Sequence, residues 1–300
     1  QIQQGTTLHE NMVWGTKASK NLFGTQGVYG IPNRDITPEL AARLGAAYGT
    51  FLKNHTKTVI SSDHYKVSLM LKTALSSGLV STGGDVYDLG SVTMPVHRYA
   101  VRSLGVSGGI HVKVDANDLE KIWIQFVDGK GIDFGQGDGR KMEAIFGRQD
   151  FRRVTENQVG SIIYSPCFKE SYQDYIVQMV DAATIRGNRF KVIVDYNHKN
   201  LSQIVPNLLN LLGVKIIDFD VAFDDYPKTF DKLRNLYKFL AQEILHHHAD
   251  FGVILDSNGE KILLVDDKGN LIDENRLAVL WSLIIFKTSP GASVVIPVTA

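Results

Sequence analysis

Short apolar runs alternate with longer helical repeats along most of this chain. The runs at residues 58–60 and 190–195 predict strands, because they are short, apolar and rich in β-branched side chains. Apolar positions recur every three to four residues over 38–51, 68–77 and 96–104, which predicts helices. This order predicts an α/β protein with mixed, largely parallel sheets flanked by helices.

Cap and turn residues indicate where several of these elements end. Thr37 is a suitable N-cap with Pro38 at the first helical position, and Gly78 is predicted to break the helix that starts at Ser68. Farther along, helices are predicted over 172–183, 201–212, 230–247 and 277–286, and strands over 214–217 and 293–298.

Residues 107–126 form the stretch around which we expect the rest of the chain to be organised. Two glycines lead into an apolar segment at 110–112, a polar loop is predicted from Lys113 to Lys121, and an alternating strand follows at 122–126. Polar loops that follow strands are where α/β proteins tend to place their chemistry.

A second polar turn, at residues 256–261, separates two apolar runs. Asp256, Asn258 and Glu260 stand at alternate positions, so their oxygens can point to one side, as Mg²⁺ ligands do. The same Asp-Ser-Asn-Gly sequence is also a strong β-hairpin signal. Weak or absent Mg²⁺ binding is the interpretation we favour.

Composition narrows the class of protein. The 300 residues are 44% hydrophobic, enough for a sizeable core and for two domains or a little more. Lys+Arg and Asp+Glu both number 32, which argues against a nucleic-acid or membrane-surface binder. The single cysteine, Cys167, fits a reducing cytoplasm. The chain starts without Met and ends on a strand-like run, so we interpret it as a fragment of a longer protein.

Three motifs resemble those of the α-D-phosphohexomutases, the family of phosphomannomutase and phosphoglucomutase. Residues 22–30, LFGTQGVYG, resemble the signature F-G-T-x-G-I-R-G, with Tyr29 in place of the arginine. Residues 113–118, KVDAND, align with the active-site loop T-A-S-H-N-P, whose serine carries the phosphoryl group. Asp115 stands at that serine, Ala116 at the histidine, and Asn117 matches. Residues 249–261 resemble the metal loop, with Lys261 in place of an arginine.

The resemblance implies a domain organisation. It predicts a domain I-like unit over 21–157, a domain II-like unit over 168–272 and the start of a domain III-like unit over 273–300. Residues 1–20 are either the last coil of a hexapeptide β-helix or a plain linker arm. The resemblance also extends to bacterial fusion proteins that begin with a sugar-1-phosphate nucleotidyltransferase of the mannose-1-phosphate guanylyltransferase type. That implies a nucleotidyltransferase and a β-helix in the same parent chain, and a homo-oligomer.

The family's activity implies candidate ligands and residues. A phosphohexomutase moves a phosphoryl group between its serine and the 1- or 6-position of a hexose such as mannose or glucose, with Mg²⁺. The candidate catalytic residue is Asp115, the candidate phosphate-binding residues are Lys113, Asn117, Tyr29 and Lys261, and the candidate metal ligands are Asp256, Asn258 and Glu260.

Asp115 makes impaired catalysis the expectation. A carboxylate can accept a phosphoryl group as an acyl phosphate, or imitate the charge of a phosphoserine. We favour a third interpretation, that Asp115 is an ordinary loop residue. The alternative function is a non-catalytic module that binds sugar phosphate or holds an assembly together.

Overall fold

The computed structural model describes residues 22–24, 26–53, 56–196, 199–218 and 230–296. In that part of the chain lie twelve strands and ten α-helices, with a 3₁₀ turn at Glu156–Gln158. The strands are β1 (Phe23–Gly24), β2 (Gly27–Gly30), β3 (Lys57–Ser62), β4 (Asp85–Ser91), β5 (Gly108–Val114), β6 (Ile122–Asp128), β7 (Ile162–Tyr164), β8 (Lys191–Asp195), β9 (Lys215–Asp218), β10 (Phe251–Leu255), β11 (Ile262–Asp266) and β12 (Leu271–Ile272). The helices are α1 (Pro38–Leu52), α2 (Lys66–Val80), α3 (Met94–Leu104), α4 (Gln136–Arg148), α5 (Phe168–Met179), α6 (Ala182–Asn188), α7 (Lys199–Ser202), α8 (Val205–Leu211), α9 (Phe230–His247) and α10 (Glu274–Thr288).

The strands form two mixed sheets. The first has the order β1-β2-β6-β5-β3-β4-β7, and the second has the order β12-β11-β10-β8-β9. Among the described strands, the first sheet has three parallel and three antiparallel pairings, and the second has two of each. The α/β class with mixed sheets is confirmed, but "largely parallel" is wrong. Short connections such as β5–β6 and β10–β11 can join only antiparallel neighbours.

Helices cover both faces of the first sheet. On one face α1 and α2 pack against Ile60, Ile110 and Val112, while on the other α3 packs against Val59 and Val127. The second sheet is covered by α9 on one face and by α6 and α8 on the other. These layers fix the strands whose carboxyl ends carry the polar loops.

Glycines in α1 and α2 bring the two helices into close contact. Gly78 does not break α2, which continues to Val80, so the predicted end at residue 77 is wrong. A Cβ at Gly78 would lie 2.0 Å from the Ala42 carbonyl oxygen, and one at Gly45 would lie 2.1 Å from the Leu75 carbonyl oxygen. The absence of these side chains therefore allows the helix backbones to touch.

Two predicted helices are each divided. The helix predicted over 172–183 becomes α5 and α6, because Val180 is extended and the Asp181 side chain caps α6 by accepting the Thr184 N–H. The helix predicted over 201–212 becomes α7 and α8, with Pro206 in the first turn of α8. Proline has no N–H to continue a helix from the preceding turn.

Other boundaries match or move by a few residues. The Thr37 cap, α1 and the predicted helix over 230–247 are confirmed, and α10 starts earlier than predicted because Asp273 caps it. The first sheet continues past residue 157, since β7 pairs with β4 in parallel. Residues 292–296 adopt no regular structure, so the prediction of a strand over 293–298 is wrong for residues 293–296. The predicted β-helix coil or arm over 1–20, and residues 297–300, lie outside the described residues.

In the described ranges, every helix is too short or too polar to cross a lipid bilayer.

Candidate active site

The β5–β6 loop of the first sheet faces the β10–β11 hairpin of the second across a cleft of about 210 Å³. Seven of the eight site residues predicted from sequence line this cleft; the eighth, Tyr29, lies beside it. The lining residues are Gln26, Lys113, Val114, Asp115, Ala116, Asn117, Trp123, Asp256, Asn258, Glu260 and Lys261.

The β5–β6 loop is shorter than predicted. Lys113 pairs with Trp123, and Val114 pairs with Ile122, so both belong to β5 and the loop begins at Asp115. The predicted start at Lys113 is therefore wrong, because the ladder continues through this charged residue. As a strand residue, Lys113 has a backbone fixed by the sheet.

Hydrogen bonds within the loop hold Asp115. Its N–H donates to the Lys121 carbonyl oxygen over 2.9 Å, and its Oδ1 accepts the Asn117 N–H over 2.9 Å. Lys121 also forms an ion pair with Asp118 at 2.7 Å. Residues 115–121 therefore form a compact loop that is held by its own hydrogen bonds and ion pair.

Tyr29 holds the other oxygen of Asp115. Its hydroxyl donates to Asp115 Oδ2 over 2.7 Å, and its ring stacks on Trp123 with the centroids 4.2 Å apart. The Lys121 ammonium lies 5.3 Å from the Tyr29 ring centroid. Burial and the neighbouring Asp115 carboxylate raise the pKa of Tyr29, so the phenol keeps its proton and acts as the donor. Both carboxylate oxygens of Asp115 accept hydrogen bonds as a result.

Asp63, after the carboxyl end of β3, supports the start of this loop. Its Oδ2 accepts the Val114 N–H over 2.6 Å, and its Oδ1 accepts the Tyr65 N–H over 3.1 Å. Burial raises the pKa of Asp63 to about 6, and the Val114 N–H opposes that change. Asp63 therefore ties the last residue of β5 to the neighbouring strand, one position before Asp115.

Two cations face the Glu260 carboxylate. Lys113 Nζ lies 2.9 Å from Glu260 Oε2, and Arg98 Nη2 lies 3.8 Å from Glu260 Oε1. Arg98 is held in turn by the Gly131 carbonyl oxygen and by Asp133. Glu260 thus joins the hairpin of the second sheet to β5 and α3 of the first.

The Asp256 carboxylate stabilises the turn of the β10–β11 hairpin. Its Oδ1 accepts the N–H groups of Glu260 and Lys261, each over 2.8 Å, and the Gly259 N–H donates to its carbonyl oxygen. Burial raises the pKa of Asp256, which disfavours its charged form. The hairpin interpretation of this sequence is confirmed.

These contacts do not fit a Mg²⁺ site. Mg²⁺ requires several oxygens in octahedral geometry, usually including carboxylates. Here a lysine and an arginine face Glu260, and Asp256 Oδ1 accepts two backbone hydrogen bonds. Among the described residues, no group of three or more His, Cys, Asp or Glu side chains could hold a metal ion.

A buried polar cluster lies behind the cleft, between β3, α3 and β5. The Ser61 hydroxyl lies 2.7 Å from His97 Nδ1 and 2.8 Å from His111 Nδ1. Burial lowers the pKa of His97 to about 3 and lowers that of His111 well below its usual value, so both rings are neutral. The His97 side chain is fully buried, so it belongs to the core of the first sheet's layer.

The residues that sequence reasoning missed are Arg98, Trp123 and Gln26. Arg98 reaches Glu260 across a separation of 162 positions, and Trp123 looks like an ordinary strand residue. The local signal for Trp123 was the alternation of residues along β6. Its neighbours Ile122 and Ile124 are buried, whereas Trp123 points the other way and is partly exposed. No local pattern indicated Arg98.

The fold and cleft define an α/β protein whose chemistry-bearing loops follow the carboxyl ends of central strands in two mixed sheets. Residues 20–153 match the family model described as "Phosphoglucomutase/phosphomannomutase, alpha/beta/alpha domain I". A phosphoglucosamine mutase of Caldicellulosiruptor bescii is 30% identical over 264 residues, which cover 86% of this chain and 58% of that protein. A phosphoglucomutase/phosphomannomutase of Thermococcus kodakarensis is 30% identical over 283 residues, covering 91% and 61%.

A solved structure shares the fold. The X-ray structure of a phosphoglucomutase/phosphomannomutase family protein from Burkholderia thailandensis superposes with a TM-score of 0.73 at 20% identity, over 90% of this chain and 60% of that one. The family model and the relatives support the phosphoglucomutase/phosphomannomutase, or α-D-phosphohexomutase, family for this chain. The chain spans about three fifths of the length of these relatives.

Proposed function

We propose that this chain is a phosphohexomutase-like region whose cleft binds a hexose phosphate and whose phosphoryl transfer is impaired. The related proteins are named as mutases of phosphoglucosamine and of phosphoglucose or phosphomannose. The 1-phosphates of glucosamine, glucose and mannose are therefore the ligands to test first. The predicted fusion to a nucleotidyltransferase, and the homo-oligomer, stay predictions.

The observation that carries the proposal is the convergence of the two loops. Lys113, Asp115 and Asn117 lie across one cleft from Asn258 and Lys261, although they come from different sheets. Lysine ammonium groups and amide N–H groups are the donors that phosphate oxygens accept from. A cleft of about 210 Å³ has room for a phosphate group with part of a sugar ring.

Impaired transfer follows from the contacts of Asp115. A carboxylate that is to attack phosphorus must present an oxygen lone pair to it. Asp115 Oδ2 accepts from Tyr29 and Oδ1 accepts from Asn117, so one lone pair on each oxygen is occupied by a donor. These bonds withdraw electron density from the oxygens and fix their direction, which supports a role for Asp115 in holding the loop.

The test is ³¹P NMR of the full chain with each hexose 1-phosphate and the matching 1,6-bisphosphate. We expect the 1-phosphate resonance to broaden or shift as protein is added, without a 6-phosphate signal. Lys261→Met should weaken binding about tenfold, equivalent to about 1.4 kcal/mol. Lys268→Met, at an exposed lysine in the next turn of the same sheet, should leave binding unchanged.

Two results would contradict the proposal. No perturbation by any of the three sugar phosphates would remove the binding function. Formation of 6-phosphate, abolished by Asp115→Ala but kept in Asp118→Ala, would make Asp115 a working nucleophile and overturn the impairment.

A further inference from the structure

Lys113 puts a nearly buried ammonium group into the cleft. The residue is 6% exposed, and its backbone lies in β5, where β6 pairs along one edge and β3 pairs along the other as far as Val112. Its Nζ meets Glu260 Oε2 at 2.9 Å in a cleft that Asp256 and Asn258 also line. A strand residue with so little exposure has few other directions in which to place its charge.

We propose that the Lys113 ammonium occupies the place of a divalent cation in this cleft, so that the cleft binds the phosphate group of its ligand without a metal. The inference rests on the proposed function as far as the ligand is concerned. The replacement of a divalent cation by the ammonium is inferred from the contacts of Lys113, Glu260 and Asp256 alone.

Charge and geometry both support this assignment. The oxygen set that could hold a cation consists of Asp256, Asn258 and Glu260, which is two carboxylates and one neutral amide. Glu260 meets Lys113 through one oxygen and Arg98 through the other, and Asp256 Oδ1 accepts two backbone N–H groups. A divalent ion would have to displace these bonds while lying beside a fixed positive charge, which repels it.

The ammonium also has capacity to bind an anion. A lysine ammonium has three N–H donors, and among the described residues Lys113 donates a hydrogen bond to Glu260. The remaining donors can reach a phosphate oxygen in the cleft while Glu260 keeps the nitrogen in place. Lys261, on the hairpin, lines the same cavity and adds a second positive charge.

The first experiment is isothermal titration calorimetry of the full chain with hexose 1-phosphate, once in excess Mg²⁺ and once in EDTA. We expect the two dissociation constants to agree within about twofold, and Lys113→Met to weaken binding in EDTA about tenfold or more. A wild-type affinity that falls tenfold or more in EDTA would overturn the inference and leave the proposed function intact.

The second experiment is titration of Mg²⁺ alone into the wild type, Lys113→Met and Lys113→Arg. We expect binding heat in Lys113→Met, because the buried positive charge is removed and Glu260 Oε2 is released. We expect none in the wild type or in Lys113→Arg, which keeps the charge. Lys141→Met, which breaks an exposed ion pair with Asp138 outside the cleft, is the matched control and should also bind no Mg²⁺.

These titrations separate the two proposals. If no sugar phosphate binds under any condition, the proposed function fails, and the Mg²⁺ titrations still decide the question of the cation. Mg²⁺ binding by the wild type, or no Mg²⁺ binding by a folded Lys113→Met protein, would overturn the assignment of Lys113. Circular dichroism spectra identify the folded variants, and the wild-type comparison does not depend on any variant.

Discussion

Replacing Asp63 by asparagine is predicted to abolish a specific pH dependence of stability. Asp63 is 6% exposed, and burial raises its pKa to about 6, whereas an aspartate in an unfolded chain titrates near pH 3.9. Between these values the folded protein binds a proton that the unfolded chain has lost. The free energy of unfolding therefore falls as pH rises through this window.

The magnitude follows from the two pKa values. A difference of one in pKa corresponds to about 1.4 kcal/mol, so the raised value corresponds to about 3 kcal/mol in total. That contribution is fully present below about pH 4 and is lost by the time the pH exceeds about 6. An asparagine side chain does not titrate, so a protein carrying Asp63→Asn lacks this contribution at every pH.

The assay is urea unfolding of the wild type and Asp63→Asn at a series of pH values spanning this window. The difference in unfolding free energy, wild type minus variant, should fall by about 3 kcal/mol as the pH rises. Other titrating groups cancel in this difference. Asp267→Asn makes the same chemical change at an exposed position and is the matched control.

Parallel curves for the wild type and Asp63→Asn would refute the reasoning about burial. If the difference grew with pH, the pKa of Asp63 would be lowered in the folded protein and not raised. The N–H donors of Val114 and Tyr65 would then affect this pKa more than burial does. The Val114 amide offers a direct check by NMR, because its hydrogen bond to Asp63 should report the same titration.

Three further predictions concern packing and the loop contacts. Gly78→Ala should lower the free energy of unfolding by about 1–3 kcal/mol, because its Cβ would lie 2.0 Å from a carbonyl oxygen. Gly147→Ala, with no neighbour within 4 Å, is the control and should not lower it. Urea unfolding measures both. Tyr29→Phe should cost about 0.5–1.5 kcal/mol in the same assay, since it removes one hydrogen bond and keeps the stacked ring; a larger loss would contradict this. Glu260→Gln should cost about 1–3 kcal/mol because the nearly buried Lys113 ammonium loses its counter-charge. Restoration of stability by adding Lys113→Met would support that cause, while no restoration would exclude it.

Several strands, many helices and the position of the cleft could be predicted from sequence because their signals are local. The Thr37 cap, the apolar runs and the turn at residues 256–261 each lie within a few positions of the structure that they specify. Both polar loops follow strands, so their chemistry was expected at strand ends.

What sequence could not supply were interactions between distant segments. Gly78 was misread because a glycine that breaks a helix and one that admits a neighbouring helix have the same local pattern, and the difference lies in Ala42 of α1. The partner of Lys113 is 147 positions away, and that of Asp115 is 86 positions away. Nothing in either sequence neighbourhood identifies these partners.

Four of the departures from the phosphohexomutase pattern contact one another in two pairs. Tyr29 stands at an arginine position and donates to Asp115, which stands at the serine position. Lys113 stands at the threonine of the loop motif and bonds to Glu260, which stands at an aspartate of the metal loop. A single change of this kind would leave a charged group without its partner in a partly buried cleft, at a cost of about 1–3 kcal/mol. Because these four groups meet in two pairs, the cleft can keep its shape and its charge balance while its contacts differ from those that the motifs imply. This pairing is why we infer a cleft that binds a phosphate group through lysine and does not transfer it.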